Sequence, residues 1–364
     1  MITSFTGEPE TNAPGVAPAC RTHRQHRNLN RTQRSIKQRN AIFMLPTASP
    51  ARGYTLRMPS TPAPVISPQK QMTGMLGHPV AENPIDRMFD AVFAHHGLPW
   101  QFWKNDIANE ADLALAVKAL RPLGYSGMCI TVPWKVAVIP LLDQVDQDVL
   151  AIGAANYMTI EDGRLIGHNN DGKGVVKAIA KVAPLKDQRV VMLGAGGAGR
   201  AMAVEISWAG AAHLTLVTRR EAQGREVAER VRKASGVPCE WQAWQSPVRV
   251  PVGTTMLMNA THLGCAPELE EVPIDWTTVP PGCLAVDVIT NPRITPFLQQ
   301  ARDRGCPIVD GVEMLVQLAM QIFERWTGIR PEESVFQRAV ATALGEAPAE
   351  VSGGLRRHET ARRP

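Results

Sequence analysis

Residues 194–200 read Gly-Ala-Gly-Gly-Ala-Gly-Arg, and Gly194, Gly196 and Gly199 keep a G-x-G-x-x-G spacing. Where a strand turns sharply into a helix, each of these glycines has a separate task. The first permits the turn, the second lets a pyrophosphate reach the backbone, and the third lets the helix pack against the strand. The start of that helix then offers free N–H groups and a positive dipole end to phosphate. The local context fits: Arg189-Val-Val-Met-Leu193 precedes the glycines, a helical stretch follows, and His213-Leu-Thr-Leu-Val217 reads as a second strand. The sequence therefore predicts a dinucleotide site built on Gly194, Ala195, Gly196, Gly197, Ala198 and Gly199. After the second strand, an acid would bond the ribose hydroxyl of NAD. This chain has Thr218-Arg219-Arg220 there, and two guanidinium groups favour the 2′-phosphate of NADP, which Arg grips bidentately.

Such a site needs a parallel sheet to carry it, and the chain supplies one. Strand-like apolar runs alternate with helical periods from about Thr73 to Trp326, the pattern of an α/β protein. A first block opens with the strand Met75-Leu-Gly77. Ile85, Met88, Phe89, Val92 and Phe93 then recur at helical spacing, with Asn83 as expected N-cap and Pro84 at the first helical position. Gly127–Pro133 reads as another strand. In the second block further strands are expected at 255–259, 284–289 and 307–309. A last helix, from about Glu313 to Trp326, has Met314, Leu315, Leu318, Ala319, Ile322, Phe323 and Trp326 on its buried side.

Composition narrows the class. At 44% apolar and 20% charged residues the chain reads as an ordinary globular protein, and no run is apolar for long enough to span a bilayer. The six cysteines are scattered, without C-x-x-C or a neighbouring His cluster, which argues against zinc or a disulfide framework and for a cytoplasmic setting. No metal is expected. Residues 1–71 hold ten Lys/Arg against Glu8 and Glu10, a net +8, which leaves −3 for the rest of a chain whose formal net charge is +5. That nearly neutral body predicts no nucleic-acid partner. The Arg-, Pro- and Ser-rich stretch 1–70 is expected to be a disordered tail. It is read as an upstream start (Met44, Met58 and Met72 being alternatives), a functionless extension, or an address resembling a transit peptide. A second disordered tail is expected at 346–364.

Between the tails, from about Gly74 to Gly328, the chain resembles the shikimate dehydrogenase family. The resemblance rests on an ordered series: Gly127-Met-Cys-Ile-Thr-Val-Pro-Trp-Lys135, Gly153-Ala-Ala-Asn156, Gly163–Gly172 with Asn169-Asn170-Asp171, Gly194–Gly199, Asn259-Ala260-Thr261, Asn291-Pro292 with Thr295-Pro296, and Gly311 with Met314-Leu315-Val316. It implies an N-terminal α/β substrate-binding domain (71–172, closed by C-terminal helices over 312–345), a Rossmann NADP domain (173–311) and a cleft between them. It further implies catalytic roles for Lys135 and Asp171. Moving a hydride between an alcohol and a ketone also moves a proton at oxygen; an amine can shuttle that proton, and a carboxylate can orient the amine and bond a substrate hydroxyl. By the same resemblance Thr131 and Asn156 face ring hydroxyls, and Ala260, Thr261, Val288, Gly311 and Met314 join the cofactor residues. The implied partner is a shikimate-like hydroxy-acid, bound by a monomer or homodimer.

The departures matter as much. Where the family holds a substrate carboxylate with Ser-x-Ser-Pro, this chain has Ala81-Glu82-Asn83-Pro84, in a loop about two residues shorter. Cys129 stands for Asn, Thr290 for Tyr and Leu318 for Gln, with Gln317 beside it. Asn83, Cys129, Gln317 and Leu318 are thus the expected substrate contacts of a variant branch. Its substrate is 3-dehydroshikimate or a related cyclic keto-acid, with quinate, aminoshikimate or another ring hydroxy-acid as alternatives. A silent ligand-binding regulator on the same fold is the reading of a different class, and retention of Lys135 and Asp171 counts against it.

Overall fold

The computed structural model describes residues 71–346; the expected basic tail and residues 347–364 lie outside the described residues. The described residues form two six-stranded sheets. The first contains β1 (Gln71–Gly77), β2 (Trp100–Asp106), β3 (Tyr125–Ile130), β4 (Gln144–Val145), β5 (Tyr157–Glu161) and β6 (Arg164–His168), in the order β2-β1-β3-β5-β6-β4. β1 runs parallel to β2 and β3, whereas β5 is antiparallel to β3 and β6. Helices α1 (Ile85–His95), α2 (Glu110–Ala119) and α3 (Gln147–Ile152) connect these strands. Helix α4 (Asp171–Ala180) leads to the second sheet, so the boundary expected between 172 and 173 falls inside its first turn.

The second sheet is parallel throughout. It contains β7 (Arg189–Leu193), β8 (His213–Thr218), β9 (Cys239–Ala243), β10 (Met256–Asn259), β11 (Leu284–Asp287) and β12 (Ile308–Val309), in the order β12-β11-β10-β7-β8-β9. Helices α5 (Gly197–Trp208), α6 (Glu221–Ser235) and α7 (Pro296–Asp303) accompany it. The strand order reverses between β7 and β10, and in open α/β sheets ligands bind in the crevice beyond the carboxyl ends of the strands at such a switch point. The glycine loop follows β7, and Ala260-Thr261 follows β10. β7, β8, β10 and β11 are buried on both faces, which is why they read as unbroken apolar runs.

Helix α8 (Gly311–Thr327) and then α9 (Glu333–Ala343) return to the first sheet. All five stripe residues of α1 are buried. Phe89 stacks on Phe102 of β2 with centroids 5.0 Å apart, and Phe93 meets Phe323 of α8 at 6.1 Å. Local details depart from the sequence reading. α1 begins one residue later than expected, because the Asn83 side chain accepts from the Ile85 N–H (3.1 Å) and leaves Pro84 as the boundary residue. β3 stops at Ile130 rather than Pro133, since Thr131 accepts from the Trp134 N–H (2.9 Å) and starts a turn. The β5–β6 hairpin was not legible as strands, although Asp162-Gly163, both at positive φ, is a strong hairpin turn.

α4 and α5 pack so closely that a Cβ at Gly172 would lie 2.4 Å from the Ala201 carbonyl and 2.5 Å from Glu205 Cγ. Glu205 is buried there, its Oε1 has no hydrogen-bond partner among the described residues, and burial pushes its carboxyl up to about 7. Because this lies above the ordinary value of 4.5, the folded state holds the proton more tightly than the unfolded chain. The stability contributed by the neutral form is complete below the ordinary value and is lost as pH rises through about 7. Glu205→Gln should therefore melt with wild type near the acid end of the folded range and above it at about pH 8. Equal melting temperatures at the higher pH would show that the buried carboxyl carries no such penalty.

Candidate active site

Lys135 lies in the turn after β3 and Asp171 is the first residue of α4, and the Lys135 ammonium donates to Asp171 Oδ2. Both are buried, Asp171 at 3% exposure, so each charge requires its partner. A set of asparagines holds the carboxylate. Asn156 Nδ2 donates to Asp171 Oδ1 (2.9 Å) and to Asn170 Oδ1 (2.8 Å), while Asn156 Oδ1 accepts from the Asn170 N–H (2.9 Å). Asn169 Oδ1 accepts from the Asp171 N–H (3.1 Å), and Asn170 Nδ2 donates to the Leu318 carbonyl (2.9 Å), tying α8 to the pair. Both amide hydrogens of Asn156 are thus used within the protein.

Behind the asparagines, His168 ends β6. Its Nδ1 lies 2.5 Å from Asp146 Oδ2, its Nε2 lies 2.9 Å from Thr159 Oγ1, and its ring stacks on Tyr157. Burial holds this histidine below its usual pKa. The hairpin that carries Asn169-Asn170-Asp171 is thereby anchored at both ring nitrogens.

The pair opens onto a cavity of about 210 Å³. Of the expected substrate contacts, Asn83, Cys129, Thr131, Asn156, Asp171 and Leu318 line it. Gln317 does not; its amide donates to Glu313 (3.0 Å) one turn back. Ala198, Val288, Gly311 and Met314, expected near the cofactor, line the same cavity. Sequence reasoning missed Met75, Ile85, Leu315 and Ile322, which supply apolar walls and which read only as core stripe. Burial pushes the Cys129 thiol far up, so it acts as an apolar wall rather than as a thiolate. Lys135 is the only cation among the lining residues. Lys104 reaches the 81–83 loop, but its ammonium donates to the Ala81 (2.8 Å) and Asn83 (3.1 Å) carbonyls and pairs with Asp86 at 3.3 Å.

The glycine loop meets this cavity. Gly194 has φ +96°, and a Cβ there would sit 2.8 Å from the Ala260 carbonyl oxygen; one at Gly199 would sit 2.6 Å from the Gly194 carbonyl oxygen. At Gly197 it would lie 2.8 Å from Lys135 Cβ, so the loop rests directly on the lysine. At Gly196 it would meet nothing within 4 Å, which leaves open space where a pyrophosphate would approach. Arg200, 5% exposed, ties the start of α5 to the end of α3 through the Gly153 carbonyl (3.3 Å) and to α6 through both oxygens of Glu226 (3.2 Å each). Beyond β8 the Thr218 hydroxyl donates to the Arg220 carbonyl (2.9 Å) and accepts from Trp241 Nε1 (3.0 Å). Arg219 and Arg220 are exposed and have no acidic partner among the described residues. Arg225 differs: it pairs with Glu221 and lies over the Trp241 ring.

A parallel sheet with a glycine loop seated on a buried Lys–Asp pair defines an oxidoreductase that uses a dinucleotide. The comparisons then fix the family. The family model described as the shikimate dehydrogenase substrate binding domain matches residues 75–158. Shikimate dehydrogenase (NADP(+)) of Moorella thermoacetica is 35% identical over 279 residues, 75% of this chain and 94% of its own. Ligand-free 5-ketofructose reductase of Gluconobacter sp. strain CHM43 superposes with a TM-score of 0.69 at 35% identity, covering 75% of this chain and 99% of that one. Shikimate 5-dehydrogenase of Thermus thermophilus, in complex with NADP(H) and shikimate, gives a TM-score of 0.66 at 30% identity over 75% of this chain and all of its own (100%). The chain belongs to the shikimate dehydrogenase family.

The unpaired guanidinium groups of Arg219 and Arg220 generate a direct test. Replacing both with Ala should raise the Kd for NADP⁺ at least ~10-fold more than that for NAD⁺, as expected for loss of charge-assisted bonds to one phosphate. Equal losses, measured by titration of each cofactor, would mean that these arginines do not read a 2′-phosphate.

Proposed function

We propose that this chain, an NADP-dependent dehydrogenase, reduces a polyhydroxy ketone that lacks a carboxylate. Hydride chemistry comes from the nicotinamide when bound, and the residues that fit the dinucleotide are the glycine loop, the α5 N-terminus, Arg219 and Arg220. Lys135 donates a hydrogen bond, then a proton, to the carbonyl oxygen as it becomes an alkoxide. Asp171 keeps the ammonium aimed and in turn accepts from a neighbouring substrate hydroxyl. Met75, Ile85, Leu315 and Leu318 exclude water from the reacting centre.

The observation that carries this reading is the chemistry of the cavity wall. Its one cation is already paired with Asp171, and the two hydroxyls by which the family grips a carboxylate are absent at Ala81 and Asn83. What remains are neutral donors. Asn83 Oδ1 accepts from the Ile85 N–H, but its Nδ2 hydrogens have no partner among the described residues. The hydroxyls of Thr131 and Thr290, both at the cavity, are likewise available. A buried carboxylate without a strong partner is expensive, whereas sugar-like hydroxyls suit such donors. The likeness to a 5-ketofructose reductase supports this reading. The curated relatives named shikimate dehydrogenase favour a second one, 3-dehydroshikimate held without the two serines.

Assays of the purified chain with NADPH separate the two. A keto-sugar such as 5-ketofructose should show kcat/KM at least ~10²-fold above 3-dehydroshikimate, the loss expected when two hydrogen bonds to a carboxylate are absent. Oxidation of shikimate at ~10⁴ M⁻¹s⁻¹ or faster, the level of a dedicated enzyme, would overturn the preference for an uncharged substrate.

A further inference from the structure

Asp287 ends β11 with no exposed surface (0%), among the most deeply buried carboxylates of the described residues. Its hydrogen-bond donors are neutral. Thr295 Oγ1 donates to Oδ2 (2.7 Å), the Ile289 N–H to Oδ1 (3.0 Å), and Asn259 Nδ2 to both oxygens (3.2 and 3.3 Å). Burial nevertheless pushes its carboxyl up to about 6. Holding an acid here works against folding, and no catalytic step described above uses it. Its value lies in what it ties together.

On one side is the loop after β10. Asn259, held by Asp287, accepts through Oδ1 from the Thr261 N–H (3.1 Å) and hydroxyl (2.7 Å), and Thr261 Oγ1 accepts from the Leu263 N–H (3.1 Å). Between them Ala260 packs against the glycine loop, its carbonyl oxygen 2.8 Å from where a Cβ at Gly194 would stand. On the other side is the loop after β11. Its Ile289 N–H is bound to the carboxylate, and the Ile289 carbonyl oxygen lies 2.3 Å from a Cβ built on Gly311, the first residue of α8. Val288, Thr290 and Gly311 all line the cavity. One carboxylate therefore sets both loops at the switch point, one against the glycine loop and the other against the helix that closes the substrate side.

We propose that Asp287 is a positioning residue that holds the loops after β10 and β11 in the form that accepts the dinucleotide. This rests on the reading of the chain as an NADP-dependent dehydrogenase. Titrating NADP⁺ into the full-length wild type and variants, with ligand-free melting measured alongside, keeps the two claims apart. Wild type should bind; absence of binding would sink the dehydrogenase reading itself. Asp287→Asn keeps the shape and removes the charge. Its Kd for NADP⁺ should rise about tenfold or more, while the ligand-free melting temperature stays within a few degrees of wild type. Unchanged affinity overturns the proposal, as does a lowered melting temperature with affinity unchanged in the cold, because either result leaves Asp287 a plain core group. If Asp287→Asn does not fold, Thr295→Val removes the tie to Asp287 together with the Thr295 cap of α7, where Oγ1 accepts from the Leu298 N–H (3.2 Å). Thr295→Ser, which keeps both, is the control, with ligand-free melting reporting the loss of the cap. Val should weaken NADP⁺ several-fold and Ser should not; equal affinities for the two would overturn the proposal.

Discussion

A lysine and an aspartate placed together inside a protein constrain everything around them. Two charges removed from water are tolerable only if each is bonded to the other and the remaining lone pairs find donors. The Lys135–Asp171 pair meets that condition through Asn156, Asn169 and Asn170, which join the turn after β3, the β5–β6 hairpin and the first turn of α4. The same asparagines reach the backbone of α8 at Leu318. Fixing the pair thus fixes the floor of the cavity and the helix that walls it.

That constraint extends into the cofactor side. Gly197 can approach Lys135 only because it has no side chain, so the glycine loop and the amine proposed to transfer the proton share one surface. Arg200, immediately after the third motif glycine, locks the same helix to Gly153, three residues before Asn156. The residues at the cavity floor and those under the glycine loop are thereby held in one frame, while Cys129, Leu318 and Asn83 line the cavity outside it.

Much of this was legible in the sequence because it is local. The glycine loop sits between two apolar strands, the α1 stripe repeats at helical spacing, and Arg219-Arg220 follows β8 directly. The buried Lys135–Asp171 pair was legible only through the ordered motifs of a family, since no local pattern links residues 36 positions apart. The rest required three dimensions. β2 reads Trp-Gln-Phe-Trp-Lys-Asn-Asp, too polar to look like a strand, because it lies at a sheet edge with one side open. Asn156 lines the cavity, and spacing gave no sign that its amide would bond partners 14 and 15 residues away. Asp287 and Arg200 went unread because their partners lie across loops and sheets, where neither spacing nor composition leaves a mark.

The most direct test of this account is a double-mutant cycle on the buried pair. Lys135→Met, Asp171→Asn and the double variant are each assayed for kcat with the best ketone substrate, with NADP⁺ affinity measured in parallel. If the lysine transfers the proton and the aspartate affects turnover chiefly by aiming it, the double variant should be little slower than the worse single, with the logarithmic losses far from additive. NADP⁺ affinity should hold in all three variants. Losses that add, or a pair of single variants that both turn over normally, would contradict a catalytic unit made of Lys135 and Asp171.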